Sequence, residues 1–371
     1  MADGSSTGAS GGSQAYTPYT IRLTPTKGYG MFATQQIQQG ACILEESPLV
    51  VFLSAEEGDQ TPWHMALRIE VAALSPSDKA KFFSLHCCVD ELEDEYKKHV
   101  RQDLFETGEF DHMDSPALDA ELELVSREIR IRNTNCTQFA SRSESGCGIY
   151  YTYSRINHSC VPNAYGTCDA ANNMYLRALR PISLGEEITI SYHEQDNLPR
   201  DERAKMIESW HFTCSCPACD GPERDKHEIL RMDMMDIEGT LHGYDLAPQR
   251  QGGPLVEQGL LFLPDENAAL LAIRYIGVLA AAGIKGPSKT EAYERASKYC
   301  TSLGSFQEAV NLAELAHRHE CIVHGEDMAG WTQKLLKRAR RRLEKEAQAS
   351  DPEGGQDSVL LRASQEAMRG F

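Results

Sequence analysis

Three cysteines within six residues, Cys214, Cys216 and Cys219 in the segment FTCSCPAC, constrain this chain more than any other feature. They are too crowded to pair with one another as disulfides without strain. Their spacing suits a single tetrahedral zinc, which takes four thiolate or imidazole ligands at about 2.3 or 2.0 Å. The cluster supplies three ligands, so the fourth must come from elsewhere. His211, Cys160, Cys168, Cys147 and Cys136 are the candidates, and spacing alone does not choose among them.

The rest of the composition narrows the setting. Twelve cysteines without a readable secretory signal point to a reducing compartment, and to metal or free thiols over a disulfide framework. In that setting the sequons at Asn135 and Asn157 carry no meaning. A length of 371 residues favours more than one packed unit. The longest apolar stretch, residues 268–282, is broken by Arg274 and too short to span a bilayer, so no membrane partner is expected. A net charge of −18 disfavours direct nucleic-acid binding, which depends on Lys and Arg contacts to phosphate. It suits a cationic peptide partner.

Patterning divides the chain into seven parts. Residues 1–15 are Gly/Ser/Ala-rich and expected to be disordered. Residues 16–60 read as short strands, at Thr20–Thr24, Met31–Ala33 and Cys42–Glu45. Over 61–132 apolar residues recur at helical spacing (Leu67, Val71, Leu74; Leu118, Leu122, Val125, Ile129), which predicts a helical insertion. Strands return in 133–195, at Ile149–Tyr153, Met174–Leu179 and Glu187–Tyr192. In GEEITISY (185–192) the alternation puts Ile188, Ile190 and Tyr192 on one face. The cysteine segment, 196–222, is followed by a helical region, 223–348, and a polar tail, 349–371. A Gly/Pro loop near 243–254 is expected between a first helix and three more at Glu266–Ala282, Ser288–Leu303 and Phe306–His324, with a charged helix from Asp327 to about Gln348. The pair broken at Gly304 looks like a tetratricopeptide-type hairpin that packs on the preceding unit. The basic run Lys334, Lys337, Arg338, Arg340, Arg341, Arg342 has the density of a nuclear-import signal, but Arg340–Glu344 and Arg342–Glu346 at i,i+4 mark a solvated face. Residence in nucleus, cytoplasm or both fits this chain.

NHSCVPN (157–163), GEEITISY and FTCSCPAC occur in that order, and this ordered set resembles the signature of SET-domain lysine methyltransferases. The spacing looks most like the SMYD branch and related fungal SET proteins, over residues 19–221 apart from the insertion. The resemblance implies an α+β protein: a β-rich SET fold with a pseudoknot, a helical insertion, a post-SET zinc site and a helical C-terminal domain. It implies S-adenosylmethionine as cofactor, one structural zinc held by Cys160, Cys214, Cys216 and Cys219, and methyl transfer to a lysine of a peptide or protein, histone or other, by a monomer.

Residue roles follow from the same resemblance. Tyr192 corresponds to the catalytic tyrosine. Asn157 and His158 stand where the family holds its cofactor, and Lys27, Gly28 and Tyr29 match the N-terminal cofactor loop. Asn133 aligns with a cofactor-contacting asparagine. Phe212 corresponds to the residue stacked on adenine, and Trp210 to a wall of the lysine channel. Asn135 stands where the SMYD branch commonly places an aromatic channel residue, a departure that bears on channel width. A second departure is the insertion, whose only cysteines are Cys87 and Cys88; this is not the seven-cysteine pattern of a MYND finger. Read without the resemblance, Tyr192 is core packing, Asn157-His158 a turn, and Gly28-Tyr29-Gly30 a hairpin. The rival from another class is a catalytically silent SET-fold scaffold that binds partners through its C-terminal helices.

Overall fold

The computed structural model describes residues 17–53, 63–88, 94–106, 115–140, 145–193, 195–246 and 265–349. The expected disordered N-terminus, most of the 243–254 loop and the polar tail lie outside the described residues. Among the described residues, ten short strands form three small sheets. In the first, β1 (Tyr19–Thr24) pairs antiparallel with β2 (Gly28–Ala33) across the Thr24–Gly28 turn. Gly28 takes φ +68° there, a conformation other residues adopt only with strain, and Thr24 Oγ1 closes the turn by donating to Gly28 O at 2.9 Å. In the second sheet β3 (Cys42–Glu46) and β8 (Ala164–Cys168) flank β9 (Met174–Ala178). In the third, β4 (Val50–Leu53) and β5 (Cys136–Ala140) flank β6 (Ser145–Ile149).

The first sheet continues from β2 to β10 (Glu187–Ile190), and β10 pairs in parallel with the two-residue β7 (Asn157–His158). That parallel pairing places NHSC directly beside GEEITI, with Asn157 opposite Thr189 and His158 opposite Ile190. Met31, Ile43, Leu176, Ile182, Ile188 and Ile190 fill the core between the strands.

Two expected strands end early. Residues 150–153 are a turn leading into a 3-10 helix (Tyr153–Arg155), because the Glu46 carboxylate accepts from Thr152 N (2.8 Å) and Tyr153 N (2.9 Å). Tyr192 lies beyond the end of β10: its backbone N–H donates to His158 Nδ1 (3.0 Å), a side chain in place of a strand partner. The strands β4, β5 and β8 were not legible, being only four or five residues long.

The insertion is helical, as its periodicity predicts: α1 (Trp63–Ala73), α2 (Pro76–Phe83), α3 (Asp94–Glu106) and α4 (Ser115–Asn135). Leu67, Val71, Leu118, Val125 and Ile129 form one buried core with Phe82 and Leu104. The last of these helices runs three residues past the expected end at 132, so Asn133 and Asn135 sit on its final turn. After the strands come α5 (Arg200–Met206), α6 (Pro217–Asp220), and then α7 (Arg224–Asp245), α8 (Asp265–Ala281), α9 (Pro287–Ser302), α10 (Phe306–His324) and α11 (Gly330–Ala349). The last five share a core of small and aromatic residues such as Ala272, Ala296, Tyr293 and Tyr299, extended by Leu336 and Ala339 of α11. The basic residues of α11 are exposed. No helix among the described residues is long and apolar enough to cross a membrane.

The C-terminal helices dock on the second sheet through the end of α10. His324 Nδ1 lies 3.3 Å from Thr167 Oγ1, and the His324 and Tyr165 rings meet edge to face at 5.6 Å. Gly325, at φ +94°, lets the Arg177 guanidinium come within 2.6 Å of where a Cβ would sit.

Within this helical unit His319 is 4% exposed and its Nδ1 lies 2.8 Å from Thr290 Oγ1. Burial, with Lys289 and Lys285 nearby, pushes its pKa down to about 3 from 6.5. The unfolded chain takes up this proton near pH 6.5 and the folded chain only near pH 3, so acid favours unfolding between the two. His319 alone is expected to remove about 2 kcal/mol of stability between pH 7 and pH 5. Denaturant unfolding at both pH values should show that loss reduced in His319→Gln; an equal loss in both proteins would contradict it.

Candidate functional site

The site forms where β7, the end of β10 and the segment between α5 and α6 converge. The Tyr192 ring sits 5.1 Å from Trp210, 5.3 Å from His158 and 6.3 Å from Phe212, the last edge to face. Its hydroxyl donates to Ile156 O at 2.7 Å. Burial, then the neighbouring Cys88 and Glu187, push the phenol pKa well above 10, so it stays protonated at neutral pH. Trp210 ends a 3-10 helix (Glu208–Trp210), and its Nε1 donates to Thr134 O at 3.0 Å. The next residue, His211, is left-handed at φ 52°, which turns the chain between Trp210 and Phe212 and points the two rings at one tyrosine. Phe212 remains 40% exposed, leaving much of its ring free for contact.

Beside this aromatic group lies a polar one that joins the expected Lys27 and Asn157 through Glu187, which sequence reasoning missed. Glu187 Oε1 accepts from Asn157 Nδ2 at 2.7 Å, and its Oε2 pairs with Lys27 Nζ at 3.0 Å. One carboxylate thus joins the β1–β2 turn to β7. Gly30 leaves room for this group: a Cβ on it would lie 2.9 Å from Asn157 Nδ2 and 3.0 Å from Glu187 Oε1 and would displace those side chains. An open cavity of about 470 Å³, lined by residues 22–27, Phe32 and Glu187, adjoins this group. Asn163 was also missed. It is 2% exposed, and its amide donates to Glu186 Oε1 and Glu187 O (both 2.9 Å) and accepts from Thr189 N (2.8 Å), locking the two motifs together. The only signal was its place at the end of NHSCVPN. For Glu187, the signal was a second acid in GEE whose side chain points away from the isoleucine face.

The four cysteines come together. The Sγ atoms of Cys160, Cys214, Cys216 and Cys219 all lie within 4.8 Å of one another, with Cys160 at 3.9 Å from Cys214 and 3.6 Å from Cys219. A zinc with thiolates at 2.3 Å requires edges of about 3.8 Å, so the donor set and its spacing fit that ion. The other candidates for the fourth ligand are elsewhere: Cys168 contacts Tyr150 OH at 3.3 Å, Cys147 lies 3.6 Å from Arg132 Nη2, and His211 is exposed.

His158 links cluster and tyrosine. Its Nδ1 accepts the Tyr192 N–H, which assigns the ring proton to Nε2, and Nε2 lies 3.3 Å from Cys160 Sγ. The ring is buried, and its pKa falls to about 3, chiefly by desolvation.

The remaining named residues are less central. Tyr29 is half exposed, its ring under the Arg155 guanidinium at 5.1 Å. Asn133 is exposed and accepts from Arg132. Asn135 is buried, and its Nδ2 donates to His86 O (2.8 Å) and Ile131 O (2.7 Å), fastening the end of α4 to the loop after α2. The same turn presents Thr134 O to Trp210, so the insertion braces the aromatic wall.

Known proteins resemble parts of this chain. Residues 28–193 match the SET domain family model. The chain is 48% identical over 109 residues to the protein-lysine N-trimethyltransferase SMYD5 of Gallus gallus, covering 28% of this chain and 26% of that protein. It is 28% identical over 204 residues to the N-lysine methyltransferase SMYD2 of Homo sapiens (50% and 44%), and 40% identical over 87 residues to a SET and MYND domain-containing protein of Dictyostelium discoideum (24% and 25%). The chain spans less than half the length of these relatives. A solved structure of Rubisco LSMT bound to AdoMet aligns over 94% of this chain and 95% of that one, with 14% identity and a TM-score of 0.35, too low to carry weight. Residues 28–193 of this chain are a SET domain.

Trp210→Phe keeps a ring in place and removes only the N–H bonded to Thr134 O. It is expected to cost about 1 kcal/mol in urea unfolding. No loss would show that the bond does not brace the wall.

Proposed function

We propose that this protein is an S-adenosylmethionine-dependent protein-lysine N-methyltransferase. The observation that carries the reading is the protonated Tyr192 phenol, held against Ile156 O and enclosed by Trp210, Phe212 and His158, beside a zwitterionic polar group.

The residues present fit the cofactor. Lys27 and Glu187 offer opposite charges to an amino-acid carboxylate and ammonium, and Asn157 adds an amide donor. The bare Gly30 backbone permits close approach, and the exposed Phe212 ring offers a face for a purine. When bound, S-adenosylmethionine supplies the electrophilic methyl carbon on its sulfonium.

The chain's own task is to receive a lysine amine as a free base and aim it. A free lysine has a pKa of about 10.4, and deprotonating it at pH 7 costs about 4.6 kcal/mol. A desolvated aromatic enclosure lowers that pKa without a strong base. Tyr192 donates its proton to Ile156 O and so presents oxygen lone pairs to an N–H of the incoming amine, fixing its orientation. Positioning of this kind is the main contribution a site without a general base makes. The insertion contributes to the wall through Thr134 O, which holds Trp210, while the Asn135 amide is spent on His86 O and Ile131 O. The four cysteines hold one structural zinc, which closes the wall carrying Trp210 and Phe212 and has no open position for chemistry. The substrate is a lysine on a peptide or protein, a histone tail among the options, and the acidic chain suits a basic segment.

Two measurements test this. Methylation of a lysine-rich peptide library should fall at least about 100-fold in Tyr192→Phe, with calorimetric affinity for S-adenosylmethionine kept within about threefold. A protein that binds no S-adenosylmethionine at all would instead be the silent scaffold. In Cys160→Ser, zinc per chain by plasma emission should drop below the wild-type value; an unchanged metal content would remove Cys160 from the ligand set.

A further inference from the structure

Two arginines stand beside the four cysteines, and both are sealed from solvent. Arg203 of α5 is 1% exposed and Arg231 of α7 is 0% exposed. Arg203 Nη2 approaches Cys219 Sγ at 3.6 Å while its Nη1 donates to Leu198 O at 2.6 Å. Arg231 Nη2 donates to the backbone carbonyl of the ligand Cys160 at 2.7 Å, and its Nη1 donates to Asp196 O. Neither guanidinium has a carboxylate within ion-pair distance among the described residues. The buried Asp196 carboxylate accepts from Ser288 Oγ at 2.8 Å and faces Arg231 through space, without an ion-pair contact.

Two buried cations with no carboxylate in ion-pair contact are costly unless enough anionic charge faces them. The cysteine cluster provides it. A divalent zinc with four thiolates carries a net charge of −2, and two guanidiniums carry +2. We infer that Arg203 and Arg231 are the dedicated counter-charges of the zinc–tetrathiolate centre, and that they set how firmly it retains its metal. The inference rests on the zinc reading above and goes beyond it by assigning two positioning residues outside the ligand set. Arg203 acts on sulfur directly, setting a positive charge against Cys219 Sγ. Arg231 acts through the Cys160 backbone and ties α7 to the centre, so the C-terminal helices sense whether the metal is bound. Such outer partners tune metal affinity by 10- to 100-fold in other sites.

The experiment is metal release from the full-length zinc-loaded protein to excess 4-(2-pyridylazo)resorcinol. Wild-type metal content is measured first, so that a protein without zinc overturns the zinc reading separately from this one. Arg203→Met and Arg231→Met should each speed release at least tenfold, while Arg203→Lys, which keeps the charge, stays within about threefold of wild type. Arg130→Met, a buried arginine in the insertion, serves as control for general destabilisation and should leave the rate unchanged.

A packing role is separated from a charge role by a double-mutant cycle with Cys216→His. Cys216 is partly exposed, and imidazole there reduces the cluster to −1, matching the one remaining arginine. The penalty of Cys216→His on release should therefore be at least threefold smaller in the Arg203→Met background than in wild type. Unchanged release in both Met variants, or equal penalties in the two backgrounds, would overturn the proposal. If the Met variants do not fold, the cycle is run on Arg203→Gln and Arg231→Gln, and a tenfold acceleration in the charge-keeping Arg203→Lys or Arg231→Lys would overturn the proposal as well.

Discussion

One imidazole holds the working parts of this molecule in register. His158 accepts the backbone N–H of Tyr192 on one nitrogen and faces the thiol of Cys160 with the other. The tyrosine and the cysteine cluster therefore cannot move independently. The ring can do this only as the neutral species, since a protonated imidazole has no acceptor nitrogen for the Tyr192 N–H. Its burial supplies that condition, because desolvation keeps the neutral form well below neutral pH. The parallel pairing of β7 with β10 brings the histidine to this point, and the pairing is itself secured by Asn163.

The site is thus built from buried polar groups with assigned partners. Asn163 satisfies three groups of the GEEIT segment, Glu46 caps the turn that ends β6, and Glu187 bridges Lys27 and Asn157. Each such group is costly to leave half-satisfied in a low-dielectric interior. The apolar cores of the insertion and of the C-terminal helices tolerate variation more readily, because hydrophobic packing is less directional. These two helical units touch the site at its edges. The insertion offers Thr134 O to Trp210, and α7 offers Arg231 to the carbonyl of Cys160.

Much of this was legible in the chain and some was not, for reasons that differ by residue. The helices over 63–135 and 265–349 could be read because apolar residues at i, i+3 and i+4 repeat long enough to be unambiguous. Strands β4, β5 and β8 could not, being four or five residues long with no clear alternation. Tyr150–Tyr153 has strand-forming side chains, yet a carboxylate more than a hundred residues away captures its amides. In Asn135 the identity was noted as a departure, but that its amide is spent on His86 O and Ile131 O depends on how the insertion folds back.

By itself, the sequence determined the cysteine cluster, the motif order, the helical units and the identity of the tyrosine. These are local properties: spacing along the chain, periodicity and side-chain chemistry. The resemblance named Cys160 as the fourth ligand, and the fold brings it to the three later cysteines; tertiary structure alone decided that His158 joins them to Tyr192, that Glu187 stands between Lys27 and Asn157, and that two buried arginines face Cys219 Sγ and the Cys160 carbonyl. These contacts join residues between 16 and 160 positions apart in the chain. Such contacts are fixed by which strands pair and which cores close, and no local pattern encodes that choice.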